Sequence, residues 1–329
     1  MMRRLLGLAA ALPLALGALG FAAQVLAQSG YPDKPIRILV GFSPGVAPDI
    51  TSRLFADRFN ESWAKGVVVE NVTGAGGNLA VERTAKSPPD GATIAMGGNA
   101  AVVINPNMMD KLGYDPLKDL SYITQVFIVP NILVVPPDVP ATTIQELIAL
   151  AKDKPDYFVA GHAGVGTSQH LGGELFMKMT GTRIQQVPYR GTTAVLPDLM
   201  GGRLNIFFGN ISNVLPLVRE GKLRAFAVTS RKRSPQIPEL PTMEELGFPG
   251  FDATAWFGLM APAGTPRPIV DKLHDEAVKI LAQPDVRARL ESMGLQLVGN
   301  TPEQFTQLVK DELPMWGRVL KDAGIKMLQ

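Results

Sequence analysis

Three histidines, His162, His170 and His274, and no cysteine limit the chemistry this 329-residue chain can carry. The segment "GTSQH" (166–170) puts Ser168 two residues from His170, but it is not the G-x-S-x-G turn that presents a nucleophilic serine. Two positions apart on a helix, those side chains diverge. No cluster of His, Asp or Glu has metal-ligand spacing. "NVTGAGGNLA" (71–80) sets glycines where a strand meets a helix, as dinucleotide-binding folds do. There Gly74-Ala75-Gly76 is followed by Leu79 at the place of the third glycine, and no G-x-x-x-x-G-K-[ST] loop occurs. That segment reads as a tight turn before a helix. The chain is expected to be no enzyme, and to carry no cofactor and no catalytic or metal-binding residue.

Two other stretches share one plan. "GFSPGVAPD" (41–49) and "GHAGVGTSQ" (161–169) each leave a strand, pass glycine-rich turns and enter a helix at Ser, Thr or Asp. A helix N-terminus offers unpaired N–H groups and the positive end of the helix dipole, so it holds an anion without Lys or Arg. Glycine lets the backbone come close to what it binds. Thr167 and Ser168 have hydroxyls that either cap the helix or reach a ligand. Two such loops, one in each half of the chain, predict a cleft with an anion cradle on each wall.

The elements that must position these loops follow from hydrophobic period. Strand-like runs occupy 36–42, 67–72, 93–98, 157–162, 184–189, 204–210 and 223–230. Helical segments at 49–63, 143–154, 167–181 and 193–202 alternate with them. This alternation predicts an α/β fold with largely parallel sheets. After Ala261 three helices follow in succession, starting near Thr265, Gln283 or Pro284, and Thr301, with Pro314 expected to kink or break the last.

The N-terminus reads as a secretory signal: Arg3 and Arg4, an apolar run from Leu5 to Ala23, and "VLA" before a cleavage site after Ala27. The expected product is periplasmic. Lys and Arg total 32 against 30 Asp and Glu, and Arg3 and Arg4 lie in the leader, so the mature chain is balanced. A basic footprint for nucleic acid is absent.

Several segments in order resemble the Bug-type, TctC-like periplasmic solute-binding receptors of tripartite tricarboxylate transporters. They include "YPDKPIRILVGFSPG" (31–45), "PPDGATIAMGGNAAVVINP" (88–106), "GVGTSQHLGGELF" (164–176), "VPYRGTTAVLPDLMGGRLNIFF" (187–208) and "WFGLMAPAGTP" (256–266). The resemblance implies a type II periplasmic-binding-protein fold, two Rossmann-like α/β domains around a ligand cleft. Residues 28–130 and 252–329 would form one domain and 131–251 the other. It also implies a small carboxylate as ligand, membrane transporter subunits as partners and a monomeric receptor. A signalling partner in place of a transporter is the alternative role, with an exported α/β enzyme as the further one.

Carried over by position, the first carboxylate loop comprises Phe42, Ser43, Pro44, Gly45 and Asp49, and the second Gly164, Gly166, Thr167, Ser168 and His170. Asn99, Tyr189, Arg190, Gly191 and Asn210 would line the cleft. Two positions depart from the family pattern: Val46 stands where a second glycine is usual, and Gly209 where Asp is common. The missing Asp at 209 predicts a preference for dicarboxylates or aromatic acids over amino acids.

Overall fold

The computed structural model describes residues 30–324, residue 64 excepted. The expected signal segment 1–27 lies outside the described residues. The chain forms two α/β domains, and the same strand plan is used twice. In the first, β1 (Ile36–Val40) pairs in parallel with β2 (Val67–Asn71) and β3 (Thr93–Gly98). In the second, β6 (Val159–His162) pairs in parallel with β7 (Gln185–Pro188), and a parallel bridge from Ala160 to Ile206 ties it to the approach of β8 (Phe207–Asn210).

Each sheet is completed by a strand arriving from the other side. β4 (Leu120–Val129) runs through Pro130 into β5 (Asn131–Val135), which inserts antiparallel between β8 and β9 (Arg224–Val228). In return, β10 (Ala255–Pro262) inserts antiparallel between β3 and β4, and the short β11 (Gln296–Leu297) closes the edge. The large sheet therefore runs β11-β4-β10-β3-β1-β2. The expectation of largely parallel sheets is corrected here. Strands reached through a helix on one face pair parallel, but the crossing strands enter from the opposite end and pair antiparallel.

The helices start where their caps lie. α1 (Ala47–Ser62) follows β1, α2 (Asn78–Ala85) follows β2, and α3 (Ile144–Asp153) opens on a capping box of Thr143 and Glu146. α4 (Ser168–Thr180) is capped by Thr167 and ends at Gly181 in the left-handed region. α5 (Thr192–Met200) and α6 (Ile211–Arg219) follow β7 and β8, then come α7 (Arg267–Leu281), α8 (Pro284–Ser292) and α9 (Pro302–Ala323). Pro314 sits inside α9 without ending it, so of the kink or break expected there the break does not occur.

In this plan the turns β1–α1 and β6–α4 leave the leading strand of each domain's parallel set, and Gly98-Asn99 and Gly209-Asn210 lie at the ends of β3 and β8. All four lie at carboxyl ends of strands, where open α/β sheets bind ligands.

Candidate functional site

Between the two domains lies a cavity. The first domain contributes Phe42, Val46, Pro48, Gly98, Asn99, Ala100, Ala255 and Phe257, and the second Ala163, Thr167, Ser168, Gln169, Thr192 and Asn210. Most of these residues stand at or next to helix starts: α1, α4, α5, α6 and a wide helical turn, Ala100–Ile104, capped by Asn99. No charged side chain is among them.

The wall from the second domain is a neutral hydrogen-bond network centred on Gln169, itself buried. Its amide nitrogen donates to Thr192 Oγ1 at 2.8 Å and to Asn210 Oδ1 at 3.3 Å, and its oxygen accepts from the Ala163 N–H at 2.9 Å. Asn210 in turn donates to Asn131 Oδ1 at 2.6 Å. Because Thr192 Oγ1 accepts from Gln169, its own proton is directed elsewhere. Ser168 reaches Asn131 Oδ1 only at 3.5 Å, which leaves that hydroxyl loosely held. Thr167 is committed: it donates to the Gly164 carbonyl at 2.7 Å and accepts from the His170 N–H at 3.4 Å.

The wall from the first domain is built differently. Phe42 meets Phe257 edge to face, with centroids 5.3 Å apart. Asn99 spends both ends of its amide on the chain, on the Thr254 carbonyl and the Ala100 N–H. Asp49 is 2% exposed and does not line the cavity. Its carboxylate accepts from the Gly45 N–H and from Asn71 Nδ2, both at 2.8 Å, and from Arg53 at 2.9 Å. Burial pushes this carboxyl up, but the bonds from Arg53, Gly45 and Asn71 outweigh it and hold it below the usual carboxylate range.

The walls touch at two rims. Ser43 Oγ donates to the Arg190 carbonyl at 3.3 Å, and a Cβ on Gly191 would lie 2.3 Å from that hydroxyl. At the other rim Gly164 packs on Gly76, where a Cβ would lie 2.9 Å from its nitrogen. Only glycine allows either approach.

Of the residues expected at the site, Phe42, Asn99, Thr167, Ser168 and Asn210 meet in the cavity. Ser43, Arg190, Gly191 and Gly164 form rims, with the Arg190 side chain exposed. Pro44 and Gly45 are exposed on the loop's outer side. Gly166 faces Asn105, its N–H donating to His170 Nδ1 at 3.3 Å. His170 stands behind that loop against His162, ring centroids 4.6 Å apart; burial, then His162, bring it down to about 3. Tyr189 turns away to donate to Asp198 at 2.6 Å. Gly209 corrects a further expectation. A side chain there would meet Val214 and Phe207 within 2.5 Å, so position 209 does not present a group to the cavity. Gln169, Thr192, Val46 and Phe257 were not among the expected contacts. Gln169 adjoins Thr167 and Ser168 in one helical turn and was within reach of sequence reasoning. Phe257 sits in an unbroken apolar strand that marks no position as special.

The family model of the tripartite tricarboxylate transporter family receptor (TctC) matches residues 51–325, and the chain belongs to that family. It is similar to the protein BugT of Bordetella pertussis, 35% identical over 309 residues, covering 94% of each chain. Among solved structures it is similar to R. palustris Rpa4515 with adipate, at 34% identity and TM-score 0.86, covering 91% of this chain and all of that one. It is also similar to MatC from Rhodopseudomonas palustris with bound malate, at 31% identity and TM-score 0.83, covering 88% of this chain and all of that one.

Proposed function

We propose that this protein is a periplasmic receptor that captures a small carboxylate between its two domains and delivers it to a tripartite tricarboxylate-type membrane transporter. The observation that carries the reading is the cavity itself, bordered by helix N-termini and by no charged side chain. First-turn N–H groups have no intrahelical acceptor, and the dipoles add a positive potential, so an anion is the natural guest. The adipate and malate held by the two relatives support the same class. Residues 28–130 with 252–329, and 131–251, are the two bodies that would close on it.

The ligand carries no amine. An ammonium needs acceptors, and no Asp or Glu lines the cavity. This replaces the argument from Gly209, whose position faces away. Calorimetry tests both statements with succinate against aspartate and 3-phenylpropionate against phenylalanine. Binding of an acid, with at least about tenfold weaker binding of its amino counterpart, is expected. Tighter binding of either amino acid removes the amine-free reading. Uptake of the bound acid by cells should be lost when the gene is deleted; unchanged uptake would separate the protein from transport.

A further inference from the structure

Building on the carboxylate reading, we infer that the cavity has a single anion cradle, on the second domain's wall, and that its ligand is a monocarboxylate with an apolar body. The two loops that look alike in sequence differ in what remains to be offered. In α1 the second residue is Pro48, which has no N–H. The Gly45 N–H is already taken by Asp49. That carboxylate, buried in the helix's first turn, offsets the dipole there and opposes a second anion. Val46, the buried residue at the helix start, lines the cavity with Phe42 and Phe257, so that end of α1 meets the cavity through an apolar residue.

The facing wall has the opposite balance. α4, α5 and α6 carry no acid in their first turns. Ser168 and Gln169 have first-turn N–H groups, and the hydroxyls of Ser168 and Thr192 have protons to give, for the reasons set out above. One carboxylate therefore finds several donors on one side, and the rest of the molecule meets two aromatic rings and a valine. A second carboxylate directed at Val46 would lose water against an apolar side chain, at a helix start that Pro48 leaves short of a donor and Asp49 opposes.

The discriminating pairs share a carbon skeleton and differ by one terminal carboxylate: hexanoate with adipate, butyrate with succinate, and benzoate with terephthalate. Calorimetry should show the monoacid of at least one pair binding, at least about tenfold tighter than its diacid. Val46→Gly, checked for folding by its thermal melt, uncovers the α1 start and should narrow that ratio severalfold. Diacids that match or exceed their monoacids in the wild type overturn the single-cradle inference and leave the carboxylate reading intact. A ratio unmoved by Val46→Gly overturns the role given to the valine. If none of the six acids binds, the carboxylate reading falls and takes this inference with it.

Discussion

In the first domain the loop after the leading strand is held by a charge; in the second the equivalent loop is held by neutral amides. Asp49 gathers Gly45, Asn71 and Arg53 around one buried carboxylate. Gln169 gathers Ala163, Thr192 and Asn210 around one buried amide. The strand plan is common to both, so the backbone brings two similar turns face to face. What differs is how much donor capacity each keeps for a guest. A carboxylate consumes donors, whereas an amide both gives and takes and turns the hydroxyl beside it outward. Topology thus fixes where a ligand sits, and a few side chains decide which end of it goes where.

The largest effect should come from breaking the charged organiser. Asp49→Ala removes three bonds to an ionised group at a buried position, and is expected to cost about 3 kcal/mol of stability. Arg53 is half exposed and can be resolvated, which keeps the figure from rising further. An unfolding free energy from urea titration within about 0.5 kcal/mol of wild type would mean that the loop holds its shape without the charge.

Gln169→Leu is the matching experiment on the other wall, and its readout is binding. The substitution strands the Ala163 N–H and releases Thr192 and Asn210 from their alignment. Losing one hydrogen-bonded organiser of this kind is worth about 1–3 kcal/mol, or roughly 5- to 150-fold in affinity. Calorimetry on the tightest-binding acid decides it. If Asp49→Ala weakens binding more than Gln169→Leu does in protein that is still folded, the assignment of the anion to the second wall is wrong.

Much of this organisation was legible in the sequence. The alternation of strands and helices, Thr301 as a helix cap and both glycine turns follow from local rules that the structure obeys. The crossing strands β5 and β10 were not legible as such, because an apolar run does not record which sheet receives it. The site divided in the same way. Phe42, Thr167 and Ser168 lie in loops with a recognisable form. Gly209 and Tyr189 were assigned to the cavity by position, and only the packing of Val214 and the bond to Asp198 reveal that they turn elsewhere.

The second wall also carries a pH dependence of its own, between neutral and mildly acid pH. His170 is neutral in the fold, held down to about 3 by burial and by His162, against an ordinary value of 6.5. The unfolded chain therefore binds a proton that the native state refuses. Stability is fully present above about pH 6.5 and declines as pH falls toward 3, with a slope of up to about 1.4 kcal/mol per unit. His162, also lowered by burial, acts in the same sense. Glu174, 3.6 Å from His170, is pushed up by burial from 4.5 and acts oppositely, its share lost as pH rises above 4.5. The urea midpoint should be lower at pH 5.5 than at pH 7 in the wild type, and the drop should be smaller in His170→Asn. Equal slopes in the two proteins would remove His170 from the account.

The smallest expected effect is the most pointed, because it concerns a residue that both the sequence and the cavity lining mark as a ligand contact. Thr167 caps α4, and its hydroxyl already donates to the Gly164 carbonyl and accepts from the His170 N–H. It has no proton left for a carboxylate, unlike Ser168 beside it. Thr167→Ala should therefore lower stability by about 1 kcal/mol, as loss of an N-cap does, and change affinity by less than about threefold. Ser168→Ala should do the reverse, with little effect on stability and about a 5- to 10-fold loss of affinity, the net worth of a typical hydrogen bond. Calorimetry and denaturation on the two variants separate capping from binding within one helical turn. If Thr167→Ala loses more affinity than Ser168→Ala, the hydroxyl leaves Gly164 when ligand arrives, and the loop rearranges on binding.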